Sequence, residues 1–192
     1  MRRGARSALA APAALLLPVV ADAYLDGPPP GRTGGFGEPT CRECHFDGPV
    51  EDPSLGLEVR GAPARWEPGA EYRLEVVLAR PGLAAAGFQL AARFAAGDRA
   101  GRQAGTLAAL DDRVAVIDSG GIRYAQHTAA GTRPTEPDTA RWPFVWTAPP
   151  SSGAAVAFHA AANAADGDAS ELGDVIGTIE RVSARPCPGE AD

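Results

Sequence analysis

Apolar residues in the middle of this chain recur at every second position, and that pattern restricts the fold more than any other feature. Tyr72, Leu74, Val76 and Leu78 alternate with polar neighbours. Phe88, Leu90, Ala92 and Phe94 do so again, with Gln89 and Arg93 turned the other way. Val114 with Val116, Trp142 with Phe144 and Trp146, and Val156 with Phe158 and Ala160 repeat the pattern, and Val175 to Val182 is a last β-branched run. A period of two puts alternate side chains on opposite faces of a strand, where a helix would need 3.6. Turn residues punctuate the runs: Pro81-Gly82, Gly97-Asp98, Ser119-Gly120-Gly121, Pro149-Pro150 and Asp166-Gly167-Asp168. Short strands at such spacing predict an all-β, antiparallel β-sandwich. The alanine stretches 84–86 and 160–165 suit a helix by propensity, but Gly87 and the alternation beyond it favour strand. Pro143 lacks an N–H, so it predicts an edge position or a bulge for the strand of Trp142 and Trp146.

The 192 residues suffice for one domain with a core. Residues 1–23 read as an export signal. Arg2, Arg3 and Arg6 precede the 13-residue apolar run Ala8 to Val20, and Ala21-Asp22-Ala23 is a small-x-small cleavage site. The run is too short to span a bilayer, and no later run reaches transmembrane length. Residues 24–54 form a Gly/Pro-rich segment without periodicity, 55–182 the sandwich, and 183–192 a loose tail. This organisation places the mature chain outside the cytoplasm: secreted, periplasmic or at the cell surface. The formal charge is −6, and cleavage after Ala23 would make it about −8. Such a chain repels phosphate backbones, so nucleic acid is a poor partner. All 18 basic residues are Arg, which excludes lysine chemistry such as a Schiff base.

One constellation carries chemistry. Cys41-Arg42-Glu43-Cys44-His45 is a C-x-x-C-H sequence, the covalent attachment signal for haem c. Thiols three positions apart can add to the two vinyl groups of one porphyrin, and the adjacent imidazole then falls under the iron as proximal ligand. The motif follows an export signal and lies in a segment expected to be flexible, open to an attaching enzyme. Two other readings stay open: a Cys41–Cys44 disulfide, and a zinc site in which Cys41, Cys44 and His45 take a fourth ligand. If haem is present, few side chains can be its second axial ligand. Met1, the one Met, leaves with the signal, and Lys is absent, so His127 and His159 remain. A His/His pair lowers the potential relative to His/Met. His159 is out of phase with Val156, Phe158 and Ala160, so it faces away from their core, where a lone histidine is usually just solvated; His127 is the stronger candidate.

Three blocks resemble the bacterial choice-of-anchor V proteins, relatives of the Reeler domain at the N-terminus of reelin. The first is Gly27-Pro28-Pro29-Pro30-Gly31-Arg32-Thr33-Gly34 with Gly37-Glu38-Pro39-Thr40 leading into Cys41-Arg42-Glu43-Cys44-His45. The second is Gly87-Phe88-Gln89-Leu90 followed by Tyr124-Ala125-Gln126-His127-Thr128. The third is Trp142-Pro143-Phe144-Val145-Trp146-Thr147-Ala148-Pro149, then Val156 to Ala164 and Asp166 through Asp174. The resemblance implies an extracytoplasmic Ig-like or Reeler-like sandwich behind an N-terminal C-x-x-C-H segment, and it matches His127-Thr128 to the family's His-Thr pair. The chain departs from the family at Gly35-Phe36, where Ala-Pro is expected, and at His159, where an aromatic such as Tyr is usual. Its C-terminus shows no sorting anchor.

These readings converge on an exported mono-haem c-type protein for one-electron transfer or redox sensing. Its haem-bearing segment would dock on the sandwich. Cys41, Cys44, His45 and His127 are the cofactor residues, and a redox protein or surface component is the partner. The rival is a non-redox surface or adhesion module whose Cys pair is a disulfide or metal clip. No paired carboxylates or Ser/His/Asp order point to an enzyme. The carboxylates Asp166, Asp168, Glu171 and Asp174 miss EF-hand spacing and suit a turn better than a Ca²⁺ site. Trp142 and Trp146 suit a core better than the wall of a cofactor pocket. Cys187 is the odd thiol, free or paired with another chain.

Overall fold

The computed structural model describes residues 24–151, 153–168 and 170–185. The export signal and Cys187 lie outside the described residues. Nine strands run in chain order: β1 (Gly56–Arg60), β2 (Glu71–Ala79), β3 (Ala85–Phe94), β4 (Thr106–Ala109), β5 (Val114–Ser119), β6 (Ile122–His127), β7 (Thr139–Thr147), β8 (Val156–Ala165) and β9 (Val175–Ser183). They form two antiparallel sheets, ordered β1-β2-β7-β4 and β5-β6-β3-β8-β9. The architecture is an all-β sandwich, as the alternation predicts. Both alanine stretches are strand: Ala85 and Ala86 open β3, and residues 160–165 complete β8.

The inner faces meet in one core. Leu74, Val76 and Leu78 of β2 and Trp142, Phe144 and Trp146 of β7 face Phe88, Leu90, Phe158 and Ala160 of the other sheet. The Trp142 ring stacks on Phe88 at 4.7 Å, and its Nε1–H donates to the Gly131 carbonyl at 2.9 Å. Both tryptophans of β7 are thus core residues with satisfied indole N–H groups.

Strand β7 is interior, which corrects the edge expectation from Pro143. The physical argument holds locally. Strand β4 pairs only with Phe144–Thr147, so at Pro143 the one strand neighbour is β2, through Glu75. A missing donor there breaks no ladder on the open side. At the other boundary, Ser183 belongs to β9, and Ala184 exchanges backbone hydrogen bonds with Ala64 and Trp66. The loose tail expected from 183 therefore does not begin there.

In the five-stranded sheet, β3, β8 and the second half of β6 are buried on both faces. Residues 24–50 cross its outer face as an irregular strap, a third layer. Small outward residues let the strap approach: Ala91, Ala157 and Ala161 are fully covered although they point away from the core. Polar side chains on the same face hold it. The Gln89 amide accepts from Arg32 N–H at 2.6 Å and donates to the Pro29 carbonyl at 3.2 Å, and Gln126 donates to the Asp26 carbonyl at 3.2 Å. The segment is irregular, as expected, but it is tied down rather than flexible.

Candidate functional site

Residues 41–45 wind into a single turn. Thr40 opens it, its hydroxyl accepting from Arg42 N–H at 3.2 Å. The amides of Cys44 and His45 both donate to the Cys41 carbonyl, at 3.2 and 2.9 Å. One turn with side chains at i, i+3 and i+4 puts Cys41, Cys44 and His45 on the same side. Both thiols are free and half-buried, and burial pushes the Cys41 thiol up to about 12. Such a thiol stays protonated at neutral pH in the folded chain.

His45 is held by residues of the sandwich. Its Nδ1 lies 2.7 Å from Oδ2 of Asp174, a buried carboxyl in the β8–β9 connection. Asn163 on the outer face of β8 donates to the same Oδ2 at 2.8 Å, and its amide nitrogen also lies 3.1 Å from Nδ1 and 3.5 Å from Nε2 of His45. Next to the turn, Phe46 and Leu172 form an isolated parallel bridge with both side chains exposed. Gly48 lies against Asp174 so closely that a Cβ at that position would come within 1.9 Å of the Asp174 carbonyl oxygen. The motif and the β8–β9 connection are therefore packed backbone to backbone.

His127, at the end of β6, stands one strand away from that grouping, because the Gly87 beneath it is the β3 partner of Asn163. Its ring covers Gly87, where a Cβ would lie 2.6 Å from Cε1. Nδ1 accepts from Phe88 N–H at 3.0 Å, which assigns the proton to Nε2, and Nε2–H donates to the Tyr24 carbonyl at 3.2 Å. Both nitrogens are engaged, and one of them fastens the start of the strap. Burial lowers the His127 pKa, with the neighbouring Phe88 and Tyr24 carbonyls opposing. The unfolded chain therefore takes up the proton more readily, and stability present above the ordinary histidine value of 6.5 is lost as pH falls below it. The melting temperature should drop between pH 7 and 5, and His127→Asn should flatten that dependence. Equal slopes in the two proteins would show that His127 is not the group responsible.

The remaining sequence candidates are placed as follows. His159 does face away from the core, but it is not solvated: the strap covers it, with the Phe36 ring edge-on at 5.2 Å, and its Nε2 lies 2.8 Å from Glu180 Oε2. Asp166 and Asp168 accept from backbone amides of their own turns. Asp174 turns away from them toward His45. Among the described residues no three His, Cys, Asp or Glu side chains converge as ligands for one ion. In the sequence Asp174 groups with the loop carboxylates and Asn163 carries no signal, because neither lies near the C-x-x-C-H motif in the chain. Among the described residues no helix is long and apolar enough to cross a membrane.

No family model matches the chain, and no curated protein does. Among solved structures it is similar to the reelin-N domain of F-spondin, at 21% identity over 77% of this chain and 96% of that one, with a TM-score of 0.48. The reeler domain of human F-spondin is similar at 22% identity, over 73% of this chain and 96% of that one, again with a TM-score of 0.48. Neither likeness is close enough to carry a statement about ligand or partner.

Proposed function

We propose that this chain carries one haem c on Cys41, Cys44 and His45 and serves in one-electron transfer or redox sensing outside the cytoplasm. The observation that carries the reading is the state of His45. Its Nδ1 makes its shortest contact, 2.7 Å, with the Asp174 carboxyl, while Nε2 has only the Asn163 amide at 3.5 Å, and a carboxylate behind a ligating imidazole is a recurrent metal-site arrangement. The turn adds the second requirement, two free thiols at i and i+3 of one turn with the imidazole at i+4. Thioether attachment to a porphyrin does not ask the thiols to converge on one ion, as a zinc site would. When bound, the haem supplies a ferric/ferrous couple; the chain supplies covalent anchoring, an oriented ligand and burial.

The proposal is confined to the proximal side. His127, the expected second ligand, would have to release the Tyr24 carbonyl to offer Nε2 to iron. The resemblance to choice-of-anchor V proteins and the signal-like N-terminus support an extracytoplasmic location, where a redox protein or a surface component would be the partner.

Protein produced with a haem-attachment system tests the reading directly. Intact mass should show one covalent haem, and a pyridine haemochrome spectrum should show its α-band. The double variant Cys41→Ala/Cys44→Ala should show neither. A mature wild-type chain of bare polypeptide mass would remove the cytochrome reading and leave a non-redox sandwich module.

A further inference from the structure

Asp174 reaches His45 across 129 residues of sequence, and its side chain is 2% exposed. Leaving a carboxylate so far from water costs several kcal/mol unless it is paired. Its partners are few. Oδ2 takes His45 Nδ1 and the Asn163 amide, while Oδ1 has no hydrogen-bond partner among the described residues. The ion pairs of the described residues set no Arg against Asp174. Among the described residues, the one titratable group hydrogen-bonded to this carboxyl is the imidazole of His45.

We infer that Asp174 is a positioning residue for His45: it fixes the imidazole as the Nδ1–H tautomer, turns Nε2 away from the carboxyl, and lowers the reduction potential of the iron that Nε2 would hold. This rests on the haem reading above. The physical chain is short. A carboxylate acceptor pulls the Nδ1 proton, which makes the ring a stronger electron donor at Nε2. A fixed negative charge in a buried setting also favours the more positive ferric state over the ferrous one. Asn163 keeps the carboxyl in place by donating to the same oxygen. Asp174→Asn keeps the shape and removes the charge.

In the haem-loaded protein, Asp174→Asn should raise the midpoint potential by about 59 mV, the equivalent of a tenfold change in the ferric-to-ferrous ratio. Asp174→Glu should restore most of the difference, which a merely structural defect would not allow. A loaded Asp174→Asn protein with the wild-type potential overturns the inference while leaving the haem reading intact. Nitrogen NMR of the full chain made without haem provides a second reading. His45 should be the Nδ1–H tautomer in wild type and a tautomer mixture in Asp174→Asn; the same tautomer in both overturns the inference. A wild-type chain that accepts no haem sinks the cytochrome reading itself, and the nitrogen spectra then decide whether Asp174 controls His45.

Discussion

Replacing Arg93 with alanine should destabilise the protein by about 3–5 kcal/mol and free the strap first. Arg93 points outward from β3, yet is only 5% exposed because the strap lies over it. It pairs with Glu38 of the strap, and its Nη2 donates to the Tyr124 hydroxyl at 2.9 Å. Tyr124 in turn donates to Glu38 at 2.6 Å. The guanidinium also lies 5.6 Å from the Phe36 ring. Removing it leaves the Glu38 carboxylate, 15% exposed, without its counter-charge. An uncompensated buried charge costs far more than a pair is worth, so Arg93→Met with Glu38→Gln should recover much of the loss. Denaturant unfolding measures the cost, and limited proteolysis within 24–54 reads the strap. A single Arg93→Ala variant within 1 kcal/mol of wild type, cut no faster, would show that the strap is held by its backbone bonds alone.

Trp146→Ala should have an effect of similar size by a different route, about 3–5 kcal/mol from lost burial and a residual cavity. The indole is fully buried, stacks on Tyr72 at 5.5 Å and meets Phe158 edge-on at 4.9 Å. Its Nε1–H donates to the Ala104 carbonyl at 2.9 Å, which the substitution strips of that partner. Domains of this kind have only about 5–15 kcal/mol in total, so a large share of the stability is at stake. The urea midpoint should fall steeply with little change in slope. A loss below about 1.5 kcal/mol, typical of volume-conserving swaps, would mean that the core collapses around the gap.

Much of the inner sandwich was legible because large apolar side chains mark one face of each strand. Tyr72 to Leu78, Phe88 to Phe94 and Trp142 to Trp146 are strands where the alternation puts them. Strand β4, four residues with a single buried Leu107, offers no such contrast. The outer face of β3 and β8 was harder. Alanine and glycine there look the same whether covered or bare, so nothing local says that a third layer lies over them. His159 illustrates this: its phase gives its face, but solvation was the wrong inference because Phe36 lies over 100 residues away in sequence.

The amino-acid order by itself determined two things: an alternating pattern that only a sheet can bury, and two thiols with an imidazole at i, i+3 and i+4, which any single turn places together. Both are local, set by backbone periods of two and 3.6 residues. Only the tertiary structure decided which carboxylate stands behind His45, that His127 is fastened to the strap, and that Pro143 lies beside an open stretch of an interior strand. Those outcomes depend on sheet order and register, which join residues 37 to 129 positions apart. No period along the chain encodes such distances; they emerge when two apolar faces and a polar strap find one arrangement that satisfies them together.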